Sequence, residues 1–219
     1  MKRGETPADD DLLRHEGWIL ALAAHPGVVA LCDAPRSTGP TVLRTRAVRG
    51  RPLAVIDELS PAEVAGLGAA AATIVADLHD VGLTHGALHA DHILVSPTGR
   101  PVLCGFSAAR ASAPPRHGSV GDAATDVATL GRALVALLPR GRQAETCGPL
   151  VDAGRTSALI RLLDGVSAGP HPESARRLAE RLGDGRFASR LPARGSGVSP
   201  PRRVTLGGDD GSLGETTAG

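Results

Sequence analysis

Residues 78–95 read LHDVGLTHGALHADHILV, and residues 99–110 read GRPVLCGFSAAR. Two short apolar runs, His92–Val95 and Pro101–Cys104, flank Ser96-Pro97-Thr98-Gly99. Pro and Gly punctuate the chain between two β-prone runs, so the spacing predicts a β-hairpin. Upstream, Leu78 and His79 close a long apolar pattern. The polar stretch between that pattern and the hairpin, with Gly86 inside it, reads as a loop carrying His85, His89, Asp91 and His92.

The apolar pattern before the loop begins at a well-marked start. Ser60 precedes Pro61, and Glu63 follows three positions after the serine, which predicts a reciprocally capped helix running to about His79. Its stretch Val64–Leu78 is Ala-rich, interrupted by Gly66, Gly68 and Asp77, and reads as too short to span a bilayer. Further upstream, acidic residues open a helix over Asp9–Ala24, with Leu12, Leu13, Trp18 and Leu20 recurring among polar positions. His25-Pro26-Gly27 stops it. Val28–Cys32 and Thr41–Val48 read as strands, the second closed by Gly50-Arg51-Pro52.

Downstream of the hairpin, Ala111–Gly121 is rich in Pro, Ser and Gly and reads as a loop. Helices are predicted over Asp122–Leu138, Arg155–Leu163 and Pro172–Leu182. From about Arg186 the periodicity dissolves, and residues 186–219 are expected to be a disordered tail.

Composition removes several function classes. The chain has 219 residues and a formal net charge of +1, with its arginines scattered, so no basic face for nucleic acid is expected. The start, Met1-Lys2-Arg3-Gly4-Glu5-Thr6-Pro7, has no apolar core and does not read as a signal peptide. No membrane insertion and a cytoplasmic location are the expectations. Cys32, Cys104 and Cys147 lie far apart and form no metal or disulfide pattern, so they are expected as buried free thiols. Trp18, Phe106 and Phe187 are the only aromatics beside histidine, which leaves a core of Leu, Val, Ala and Ile.

The order of these pieces resembles the protein-kinase superfamily, in particular bacterial serine/threonine-kinase-like domains. The stretch around His85 and Leu88, followed by Ile93, Leu94, a hairpin and Phe106, is similar to the family's catalytic loop, hairpin and metal-binding Asp-Phe-Gly loop. Glu16, ahead of His25-Pro26-Gly27, resembles the glutamate of the family's first-lobe helix. Asp126-Val127-Ala128-Thr129-Leu130-Gly131 resembles the start of the central second-lobe helix, whose aspartate accepts hydrogen bonds from the catalytic-loop backbone. Arg161–Asp164 and Pro172–Ala179 resemble the closing helices. The resemblance covers residues 9–184. It implies an α+β fold: a truncated N-lobe sheet with one helix over residues 1–49, and a mostly helical C-lobe over 50–185.

The same resemblance implies what has been replaced. Ala87 stands where the family has the aspartate that accepts the substrate proton. His92 replaces the metal-binding asparagine and Gly105 the metal-binding aspartate, while His89 replaces a basic residue. Ala and Gly supply no side-chain oxygen for Mg²⁺, and imidazole suits softer metals. No catalytic residue, metal or cofactor is therefore expected, and the reading is a pseudokinase that binds protein partners. Histidine spacings of four and three would share one face of a helix, but a loop with His85 packed and His89 and His92 lining a cleft is the expectation.

No GxGxxG precedes Glu16. Lys2 is read either as a vestige of the family's lysine strand, paired with Glu16, or as a solvated terminal lysine; an upstream extension with further strands is a third reading of this short start. Arg44 and Arg46 fall where an adenine-binding hinge would lie, and they weaken the case for nucleotide. The alternative function is a divergent ATP-binding serine/threonine kinase, or a small-molecule phosphotransferase like the aminoglycoside enzymes that His85-Gly86-Ala87-Leu88-His89 echoes. It would use ATP and Mg²⁺, with Asp91 or Asp122 in unusual roles.

Overall fold

Thr6 opens the first helix. Its hydroxyl accepts from the Asp9 amide at 3.2 Å while its own amide donates to the Asp9 carboxylate at 3.0 Å, a reciprocal cap with Pro7 in the first turn. The computed structural model describes residues 1–33, 41–112, 120–139, 151–168 and 173–187. Met1–Ser189 form one unit, and residues 190–219 are divided from it. The tail expected to be disordered lies outside the described residues from 188 onward, as does Cys147.

The elements in order are β1 (Lys2–Arg3), α1 (Pro7–Leu22), β2 (Leu31–Asp33), β3 (Val42–Thr45), β4 (Arg51–Pro52), α2 (Pro61–Asp80), β5 (Leu83–Thr84), β6 (Ile93–Val95), β7 (Pro101–Leu103), β8 (Arg110–Ala111), α3 (Val120–Val135), α4 (Val151–Ala168) and α5 (Ala175–Gly183). The chain is a mixed protein of helices and small antiparallel sheets. One sheet has the order β1-β3-β2, another β4-β6-β7, and β5 pairs with β8. The expected hairpin pairs Ile93 with Leu103 and Val95 with Pro101. A parallel bridge from Val28 to Leu103, with Val29 N donating to Leu103 O at 2.9 Å, ties the segment after α1 to β7.

Several boundaries differ from those read in the sequence. The segment Val28–Cys32 is a strand only from Leu31, because Gly27 to Val29 hydrogen-bond to Leu103 instead. Arg51 and Pro52 do not merely close β3. They form β4, opposite Val95 and Leu94. Arg110–Ala111 pairs with β5, and the helix after it starts at Val120, so the expected loop is shorter at both ends; residues 113–119 are outside the described set. The last helix starts at Ala175 because Ser174 caps it, accepting from Arg177 N at 3.2 Å.

The core is aliphatic and centres on α2. Val64, Ala65, Leu67, Ala71, Ala72, Val75 and Leu78 are buried along it. This 20-residue helix is long and apolar enough by composition to cross a membrane, contrary to the sequence expectation, but 61% of its apolar window is buried inside the fold, as in a core helix. Gly68 lets α2 approach its neighbours: a Cβ there would lie 2.7 Å from Leu134 of α3 and 3.0 Å from Leu182 of α5. On α1 the inward stripe is Leu13, Glu16, Gly17 and Leu20. Leu12 and Trp18, grouped with that stripe in the sequence, are each 52% exposed, because the helical period turns them away. Cys32 is exposed and Cys104 half-buried, so the expectation of buried thiols fails for Cys32, which sits on β2 at a sheet edge.

Candidate functional site: a cleft between the first sheet and the histidine loop

A cleft of about 310 Å³ opens beside the first sheet. Val29, Leu43, Ala47, Val48 and Leu94 give it apolar walls, and Lys2, Glu16, His92, Cys104 and Gly105 form its polar end. β1 brings Lys2 there because it pairs with β3, with Lys2 opposite Leu43. The helix α1 brings Glu16, which is buried at 3% exposure. Lys2 Nζ donates to both Glu16 oxygens, at 2.8 and 2.7 Å, while the lysine side chain stays 54% exposed. The pair is therefore half in water, and the lysine neutralises a carboxylate that the fold has taken out of it. Arg46 lines the cleft too, its amide held by Ala30 O at 2.8 Å, whereas Arg44 turns to Asp33 at 3.7 Å.

The histidine loop is fixed from below by Asp126, 1% exposed on α3. Its carboxylate accepts from His85 N at 2.7 Å and Gly86 N at 2.9 Å, and from His79 Nε2 at 3.1 Å. Three donors satisfy a buried carboxylate that would otherwise be costly to hold. Gly86 has φ +73°, a left-handed conformation that suits glycine, and its α-carbon packs close to Ala108 O. His85 is buried, donates through Nε2 to Cys104 O at 2.9 Å, and lies 4.5 Å centroid to centroid from the buried Phe106 ring. Burial pushes the His85 pKa down, against the opposing pull of Cys104 O and Asp126. Leu88 is buried in the core, and Ala87 is half-buried.

Imidazoles then line up along the loop. His89 stacks on His92 with centroids 3.7 Å apart, and His92 lies 5.5 Å from His85. His92 Nδ1 donates to Ala87 O at 2.9 Å, which leaves Nε2 as the ring's acceptor. Burial lowers the His92 pKa, with His89 and Lys2 adding to the effect. His89 is exposed and sits 3.4 Å from Asp91, which points to solvent. Gly105 follows β7 at φ +79°, and its α-carbon faces the His92 ring. The three histidines are in a loop and a short 3-10 turn, not along one helix face.

Among the described residues no group of three or more His, Cys, Asp or Glu side chains is placed to hold a metal ion. The donor chemistry agrees with this at the cleft itself. The carboxylate that lines it, Glu16, is already bound to Lys2, and Gly105 offers no side chain. The residues present do not fit Mg²⁺, which needs several hard oxygens in octahedral array.

Sequence reasoning had not assembled Cys104, Val48 and Leu94 into a cleft, nor found His79 as a donor to Asp126. His79 sits six residues before His85, and only the end of α2 turns it toward α3; no local pattern signals that. His15 was also missed: its Nε2 donates to Ala109 O at 2.8 Å and joins α1 to the segment after Phe106.

Over the described residues the protein is a mix of helices and small sheets, with a polar-ended cleft beside a pinned histidine loop. In comparison with known proteins, the sequence matches no family model and no curated relative.

Proposed function

We propose that this chain is a protein-kinase-like pseudokinase, a cytoplasmic binding or regulatory module that transfers no phosphate and acts through protein partners. The reading is supported by the resemblance around His85, Phe106 and Asp126 together with one chemical observation. Where that resemblance puts a base and two metal ligands, the chain has the methyl of Ala87, the imidazole of His92 and the bare Gly105. Phosphoryl transfer rests on positioning and on neutralising the phosphates, chiefly with Mg²⁺. Losing the base and both ligands together removes that means. The pinning of His85 and Gly86 by Asp126 is compatible with a kinase-like loop kept as scaffold.

A second reading, a divergent ATP-binding enzyme, draws support from the Lys2–Glu16 pair at the end of an open cleft. The two readings separate in a radiolabel transfer assay with ATP and Mg²⁺, run beside a thermal-shift titration. A bound ligand must raise the melting temperature. The proposal expects no transfer above the level of a denatured control and no Mg²⁺-dependent rise. Transfer that persists through repeated purification and disappears in Lys2→Ala would establish the enzyme instead.

A further inference from the structure

His92 is held on every side that could release it. Ala87 O accepts from Nδ1 at 2.9 Å, the His89 ring covers one face at 3.7 Å, and the backbone continues into β6. A face of the ring, at its Nε2 end, lies over Gly105. A Cβ built on Gly105 would collide with this ring: its distance to Cε1 would be 2.7 Å, with Nε2 and Cδ2 nearer still. No side chain at residue 105 fits while the ring is there. The glycine and the histidine are a sterically matched pair, and the matched volume is the polar end of the cleft, beside Lys2 and Cys104.

We infer that His92 is the specificity-determining residue of this cleft: its ring fills the volume that a side chain at 105, and a cation beside it, would need, so the cleft admits metal-free ligands and excludes those that carry a divalent ion. A ligand that enters meets apolar walls, the Lys2 ammonium and an imidazole acceptor at Nε2. It therefore brings its own N–H or O–H donor to that nitrogen in place of a metal. The metal part of this inference rests on the pseudokinase reading; the steric part does not.

The test is a cycle of four full-length proteins: wild type, His92→Asn, Gly105→Asp and the double variant. Aspartate tolerates a left-handed φ better than most residues, and any remaining backbone cost is the same in both backgrounds. The difference between backgrounds then reads the collision alone. Gly105→Asp by itself should lower the melting temperature by about 5 °C or leave the chain unfolded, and adding His92→Asn should recover most of that loss. The probe for metal is Mn²⁺, alone and with ATP, followed by paramagnetic broadening of the amide signals of residues 92 and 105. Broadening should occur in the double variant and in no other. The inference is overturned if Gly105→Asp costs the same with and without His92, if the wild type broadens, or if the double variant fails to. A phosphate-transfer signal in the wild type would defeat the pseudokinase reading while leaving the stability cycle to judge the steric pair separately.

Discussion

Lys2 and Glu16 are joined by both carboxylate oxygens across the edge of the first sheet, and the two sit on opposite sides of the water boundary: the lysine is 54% exposed, the glutamate 3%. The glutamate is the dependent partner. The inward stripe of α1 carries it into the fold, and its charge there relies on a two-residue strand at the very start of the chain.

Lys2→Ala should therefore destabilise more than an exposed lysine normally would, by about 1–2 kcal/mol, because it leaves a buried carboxylate without its cation. Lys2→Ala with Glu16→Gln should recover part of that loss, since the amide carries no charge to strand. Urea unfolding of the two variants and the wild type measures both. Equal stability of Lys2→Ala and wild type would show that the pair carries no weight in the fold.

Asp126 gives a second expectation. One of its oxygens takes two donors, His85 N and His79 Nε2, and the other takes Gly86 N. An asparagine cannot accept at both ends, so Asp126→Asn leaves a buried N–H facing a donor and should cost about 2–3 kcal/mol. The loss should be local before it is global: amide exchange at His85 and Gly86 should accelerate beyond that of β6 and β7. Unchanged protection of those two amides would mean that the loop is held by something other than this carboxylate.

How much of this was legible depends on how many residues carried each signal. The Ser60–Glu63 cap was readable because the spacing and the Pro61 between them act locally, and the hairpin was readable because Gly99, at φ +76°, closes its turn. The cap at Thr6 escaped notice since its third position is Asp9 rather than the usual Glu or Gln. Two-residue strands such as β1, β4, β5 and β8 have no periodicity to read. Trp18 misled because apolar character was taken for inward direction. At the site, the resemblance drew attention to Lys2, Glu16, His85 and Asp126. The contact of His92 with Gly105 depends on backbone geometry from two separate strand ends, and neither residue signals it alone.

Two glycines on α2 should behave oppositely. Gly66 is exposed, and a Cβ there meets nothing within 4 Å, so Gly66→Ala removes backbone freedom from the unfolded chain without a clash. It should stabilise by about 1 kcal/mol, seen as a rise of roughly 2–4 °C in melting temperature. Gly68→Ala gains the same propensity but drives a methyl to 2.7 Å from Leu134 and 3.0 Å from Leu182. Those leucines are 0% and 3% exposed and are themselves packed, so they cannot swing away freely. Overpacking of about 1–3 kcal/mol should outweigh the propensity gain and lower the melting temperature. Two substitutions of one kind, only two residues apart, thus test whether α2 is the close-packed centre of the core.

His85 and His92 should give the first loss of stability on acidification, ahead of the carboxylates. Burial lowers the pKa of both His85 and His92 from an ordinary value of 6.5. In the unfolded chain each takes up its proton near pH 6.5, while in the folded chain each resists it, so the unfolded state binds more protons below that point. The stability they contribute is complete above about pH 6.5 and is lost as pH falls through their folded values. Protonated His92 would face Lys2 and the His89 ring, with Asp91 offering partial relief, and protonated His85 would lose its solvation and face His92, with Asp126 offering partial relief. The carboxylates held low by hydrogen bonds, Glu63 by Ser60 and Asp77 by Arg176, start from 4.5 and 3.8 and give way only at lower pH. The interval between about pH 6.5 and 5 therefore belongs to the imidazoles. Melting temperature should fall across it, and His92→Asn should flatten that fall while leaving the steeper loss below pH 4.5 in place. A wild-type melting temperature that stays level from pH 7.5 to 5 would show that these two rings take up protons as readily in the folded protein as in the unfolded chain.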